Sequence, residues 1–102
     1  MKIFKCFTLG WSEISSMNHA RRDHTASILS NGKVLVTGGF DNNALNSAEL
    51  YDPSSKMWTT TGAMITARRY HTATILTNGK VLVFGGTDSS GYLKSAEVFV
   101  LY

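Results

Sequence analysis

The sequence has one cysteine, one proline and no long apolar run, and each scarcity removes a class of protein. Cys6 alone closes no intrachain disulfide and offers a metal no second thiolate. A reducing compartment is compatible with it. No stretch approaches the ~18 apolar residues of a membrane-crossing helix. In the opening MKIFKCFTLGW, Lys5 interrupts an apolar run already too short for a secretory leader, and no asparagine stands two places before serine or threonine. The cytoplasm is favoured on these grounds. Basic charge is also thin: ten Lys and Arg against seven Asp and Glu leave +3, spread from Lys2 to Lys94, with only Arg21-Arg22 and Arg68-Arg69 adjacent. That pattern is a solvated surface, so neither nucleic acid nor a membrane is expected as partner. At 102 residues there is room for one domain at most.

What is present is self-similarity. Trp11 recurs as Trp58, Met17 as Met64, His24-Thr25-Ala26 as His71-Thr72-Ala73, and Asn31 to Val36 as Asn78 to Val83, each 47 residues apart. Gly38-Gly39 returns as Gly85-Gly86 in that register, but Ser47-Ala48-Glu49 returns as Ser95-Ala96-Glu97 at an offset of 48. One inserted residue marks a variable loop between them. A period of this length is a signature of stacked or circular repeat architectures.

Within a repeat, short runs rich in β-branched residues alternate with turn formers, which predicts strands. His24 to Leu29 and Lys33 to Thr37 flank Asn31-Gly32, a pair suited to a two-residue type I′ hairpin turn. Ser47 to Tyr51 forms a third strand, Asp52-Pro53-Ser54-Ser55 turns, and a fourth strand lies around Trp58. Val34-Leu35-Val36 and Val81-Leu82-Val83 do not alternate with polar residues, so burial of both faces is expected.

The pattern HTA, NGKVLV, a double glycine, SAE, YDP and W, with Met-x-x-Ala-Arg leading to the next copy, resembles the Kelch repeat over residues 11 to 100. The resemblance implies an all-β fold of four-stranded antiparallel propeller blades. Residues 1–8 fall outside the repeat pattern and 9–102 inside it: a fourth strand of a split blade near 9–14, a full blade over about 20–61, and three strands of a second blade over about 67–100. That makes about two blades, an incomplete propeller in one chain, since closure takes roughly four to eight. The chain is therefore expected to meet either neighbouring repeats of a longer chain or further copies of itself, linked head to tail through the Trp11 strand.

Residues required by the fold should recur in both repeats. On that test Trp11 and Trp58 pack between blades, joined by Tyr51 and its counterpart Phe99. Gly38, Gly39, Gly85 and Gly86 permit positive φ and close backbone approach. His24 and His71 are satisfied within the fold, while Arg21 and Arg68 bond to backbone or carboxylate, with Glu49 and Glu97 as candidate partners. No cluster of ligand residues suggests a metal, and no cofactor is expected.

Function should reside on the long connections, which in an up-and-down blade share one face: Phe40 to Asn46, Thr87 to Lys94, and Gly62 to Tyr70. The residues there diverge between repeats, apart from Asp41 and Asp88. The binding candidates are Arg22, Phe40, Asp41, Asn42, Asn43, Arg69, Tyr70, Asp88 and Tyr92, whose aromatics and arginines have the composition of interface anchors. The reading is a non-catalytic scaffold for a protein partner. The alternative is carbohydrate binding, or part of a galactose-oxidase-like enzyme, whose copper site needs Tyr and His converging from several blades.

Overall fold

The computed structural model describes residues 10–101. Cys6 and the segment 1–8 lie outside the described residues, as does Tyr102. Those described are all β, with no helix among them. Blade 1 is the four-stranded antiparallel sheet of β1 (Thr25–Ile28), β2 (Val34–Thr37), β5 (Ala48–Asp52) and β6 (Met57–Thr60), in that order. Blade 2 is the three-stranded sheet of β7 (Thr72–Ile75), β8 (Val81–Phe84) and β11 (Ala96–Phe99). The long loop of each blade forms a two-residue ribbon of its own: β3 (Phe40–Asp41) with β4 (Asn43–Ala44), and β9 (Thr87–Asp88) with β10 (Gly91–Tyr92).

The Asn-Gly hairpins differ from a two-residue type I′ turn. The Leu29 amide donates to the Lys33 carbonyl at 2.8 Å and the Gly32 amide to the Leu29 carbonyl at 2.9 Å, with only Gly32 at positive φ. This is a longer loop with a glycine bulge. The physical reason is the Asn31 carboxamide, which accepts the Lys33 amide at 3.0 Å and spares Asn31 a left-handed conformation. Asn78-Gly79 repeats every one of these contacts. After β5, Asp52 accepts the amide and hydroxyl of Ser54 at 2.9 and 2.7 Å, closing the turn into β6.

The core lies between the blades. Leu29, Leu35, Ala48 and Leu50 of blade 1 cluster with Val81 and Val83 of blade 2, with Met64, Ala73 and Phe99 packed against them. Backbone bonds cross the same seam: the Gly39 amide donates to the Arg68 carbonyl at 2.9 Å, the Arg68 amide to Leu45 at 3.1 Å, and the Met64 amide to Asn46 at 2.7 Å. Burial of both faces holds for Leu35 and Val36 in β2. In β8 it does not, because Val81 and Val83 face the seam while Leu82 is half-buried and Phe84 exposed on the side away from it.

The expected strand near 9–14 is not formed within the described part: residues 10–17 pair with no strand, and Trp11 is fully exposed rather than packed between blades. Among the described residues β6 takes the outer edge of blade 1, while blade 2 ends on β11 with no fourth strand beside it. The split-blade strand is expected on a sheet other than blade 1. Trp58 likewise packs within its own blade, its ring 5.0 Å from that of Tyr51, with its indole N–H donating to the Ser15 carbonyl at 3.0 Å.

Candidate functional site at the seam between the blades

Two matching staples set the geometry. In blade 1 the buried Arg21 guanidinium donates to the carbonyls of Gly38 and Ser47 at 2.8 and 3.0 Å, and to the Ser47 hydroxyl and Glu49 Oε2 at 3.0 and 3.1 Å. Arg68 does the same to Gly85, Ser95 and Glu97 at 2.9 to 3.1 Å. Each glutamate accepts two further amides, Asn18 and His19 at Glu49, Ile65 and Thr66 at Glu97. Burial opposes ionisation of both carboxyls, yet these amides and the arginines outweigh it and hold both below the usual carboxylate range. The pairs therefore stay charged, and they pin the segment entering each blade.

Pinning aims the next residue. Arg22 exchanges two backbone bonds with Phe40, at 3.1 and 2.7 Å, and Arg69 exchanges two with Thr87, at 3.0 and 2.9 Å. Phe40 reaches across the seam, so that the Arg69 guanidinium lies 4.0 Å from its ring centroid and that of Arg22 5.1 Å. The Asp23 carboxylate sits 3.7 Å from Arg69 and 4.0 Å from Arg22. Tyr70 follows, its ring 4.9 Å from the Arg69 guanidinium and its amide bonded to the Asp23 carbonyl at 3.1 Å. Asp23 and Tyr70 have φ of 60° and 57°, a conformation uncommon for non-glycine residues and an outlier for a bulky one. The cross-seam bond holds Tyr70 in it with the ring exposed.

The candidates separate accordingly. Arg22, Phe40, Arg69 and Tyr70 converge, and Asn42, Asn43 and Asp88 line a shallow groove with Phe40, Arg69 and Ser89. Asp41 turns to His19, 3.3 Å away. The Asp88 carboxylate accepts the amides of Ser90 and Gly91 at 2.7 and 3.1 Å and so shapes its own loop. Tyr92 stands almost fully exposed. Asp23 belongs to the cluster but was missing from the sequence candidates. Its signal was the contrast with Tyr70 at the matching position.

The histidines divide too. His71 Nε2 lies 2.8 Å from the Thr25 hydroxyl and 3.0 Å from that of Thr37, a clasp from blade 2 onto blade 1. Burial, with the Arg68 guanidinium and His24 adding to it, lowers its pKa to about 4, so the ring is neutral. His24, its counterpart, is exposed. Among the described residues no three His, Cys, Asp or Glu side chains gather as a metal site would need, and no helix is long and apolar enough to cross a membrane.

Antiparallel blades repeated in tandem and joined by such a seam define a repeat protein of the propeller type. The chain belongs to the Kelch-repeat family, whose Kelch motif matches residues 21–64 and 68–101. It is similar to two F-box/kelch-repeat proteins of Arabidopsis thaliana. One is 32% identical over 56 residues, covering 55% of this chain and 15% of that protein. The other is 43% identical over 54 residues, covering 48% and 11%. The matches thus span under a sixth of either relative.

Proposed function

We propose that the chain is part of a non-catalytic binding scaffold and that a protein partner docks on the loop face over the seam. The observation that carries this reading is the cluster of Phe40, Arg22, Arg69 and Tyr70, assembled from both blades and aimed outward. Aromatic and arginine side chains dominate the energetics of protein interfaces, and a ring held rigidly in the open loses little entropy on binding. Asn42, Asn43, Asp88 and Tyr92 around it supply polar contacts at the rim. His71 is occupied as the inter-blade clasp and Arg21, Arg68, Glu49 and Glu97 as staples, so the reading assigns them to the scaffold. The names of the two relatives pair a Kelch array with an F-box, consistent with a scaffold role.

The test is a protein array and a glycan array probed with the chain, with Tyr70→Ala and Arg69→Ala, and with Ser54→Ala on the opposite turns. Protein hits that vanish with the first two variants and persist with the third support the reading. Hits confined to glycans, or unmoved by Tyr70→Ala and Arg69→Ala, overturn it.

A further inference from the structure

The sequence holds six asparagines, and two of them, Asn31 and Asn78, stand directly before a glycine. Asn18, Asn42, Asn43 and Asn46 precede residues whose Cβ crowds the approach of the next peptide nitrogen to the carboxamide. At Gly32 and Gly79 no such atom is present. The turn also sets the reacting groups on one side. Because Asn31 Oδ1 accepts the Lys33 amide at 3.0 Å, the carboxamide is folded forward along the chain, toward the Gly32 nitrogen. Asn78 and Lys80 repeat this bond at 3.0 Å. Both asparagines are exposed.

The two turns differ in what lies against them. A Cβ built on Gly32 would meet nothing within 4 Å among the described residues, and Gly32 is exposed. On Gly79 it would lie 3.5 Å from the Ser30 hydroxyl of blade 1, and Gly79 is half-buried. In each turn the glycine amide is tied at 2.9 Å to a leucine carbonyl, Leu29 or Leu76, so the nitrogen is freed only when the turn opens. Opening an unpacked tip is a low-energy local event, whereas a tip packed on a neighbour must also break that contact. The turn of blade 1 is therefore the reactive one.

We propose that Asn31 is a site of spontaneous covalent modification, an intramolecular deamidation that the matching turn of blade 2 resists. The Gly32 nitrogen gives up its proton and bonds to Asn31 Cγ, the Cγ–Nδ2 bond breaks, and ammonia leaves with that proton. Water then opens the five-membered imide at either carbonyl, to aspartate or to isoaspartate. An aspartate keeps the oxygen that accepts the Lys33 amide. An isoaspartate routes the main chain through its side-chain carbons and adds an atom to the loop between Leu29 and Lys33, whose amide and carbonyl are bonded at 2.8 Å. Leu29 is 5% exposed and belongs to the core between the blades, so the isoaspartate form loosens the seam that positions Phe40, Arg69 and Tyr70.

The test is peptide mapping by mass spectrometry of the 102-residue chain held folded at mildly alkaline pH, with the same chain in urea as reference. Ser-Asn-Gly-Lys and Thr-Asn-Gly-Lys differ only in their first residue, so in urea the two sites should react at comparable rates. In the folded chain Asn31 is expected to convert at least about threefold faster than Asn78, with isoaspartate among its products. No conversion of Asn31 in the folded chain, or the same ratio of sites folded as in urea, overturns the proposal. Thermal unfolding reads the consequence. On incubation the parent's midpoint should fall, Asn31→Ser should hold its own, and Asn31→Asp should match the fresh parent. A parent that converts at Asn31 with no fall, or an Asn31→Asp as unstable as the incubated parent, overturns the role given to isoaspartate. The mapping needs no variant, so it decides the site even if a substitution at Asn31 costs the fold.

Discussion

In blade 2, His71 is buried, neutral and bonded to two threonines of blade 1; in blade 1, His24 heads an identical His-Thr-Ala run and is exposed. Arg21 and Arg68, by contrast, make the same four bonds in both blades. The difference separates two kinds of contact that one repeat carries. The arginine staple closes within a blade and forms wherever the blade does. The histidine clasp closes between blades, and it forms at His71, where blade 1 offers the hydroxyls of Thr25 and Thr37.

The largest test of that division is removal of the staples. Arg21→Met and Arg68→Met each strand a carboxylate and two carbonyls, and each is expected to cost about 3 to 5 kcal/mol in denaturant unfolding. Arg21→Met should be the worse, because Glu49 is 1% exposed and Glu97 15%. Equal or reversed losses would mean that burial of the abandoned carboxylate does not set the cost.

The clasp should show itself through pH. An unfolded histidine titrates near 6.5 and native His71 near 4. Above pH 6.5 both states are unprotonated and the ring adds no pH dependence. Between 6.5 and 4 the unfolded chain takes up a proton that the native ring refuses, so stability falls on acidification, by roughly 3 kcal/mol in full. His71→Ala should flatten that stretch of the stability profile far more than His24→Ala does. The lowered carboxyls of Glu49 and Glu97 act further down: their contribution is present above the usual carboxylate pKa and is lost as pH falls through their native values. That lower limb should survive in both histidine variants.

A smaller contrast lies in the double glycines. Gly38→Ala puts a methyl group into the Arg68 carbonyl and the His71 ring as well as forcing alanine to positive φ, for an expected loss above ~2 kcal/mol. Gly85→Ala meets only the conformational penalty, about 1 kcal/mol. Thermal unfolding of the two variants should differ accordingly, and indistinguishable midpoints would show that the seam yields to a methyl group.

Much of this was legible in the chain. The 47-residue offset located the strands, the Asp52-Pro53 turn and the long loops, because β-branched runs and turn residues act through neighbours a few positions away. Arg21 with Glu49 could be named as a pair since both recur. The geometry of the Asn-Gly turns could not be read so closely, because the Asn31 side chain competes for the amide that decides the turn type. Nor could the place of Trp11, which depends on a sheet edge elsewhere.

The sequence by itself determined that the protein is a tandem array of Kelch blades, and which residues each blade repeats, because those features rest on local periodicity and on contacts that close within one repeat. Only the tertiary structure decided which histidine is buried, that Phe40 lies beneath Arg69, and that Asp23 joins them. These are decided across the seam, where the energy of a side chain is set by the opposing surface and identical residues in two repeats meet different partners.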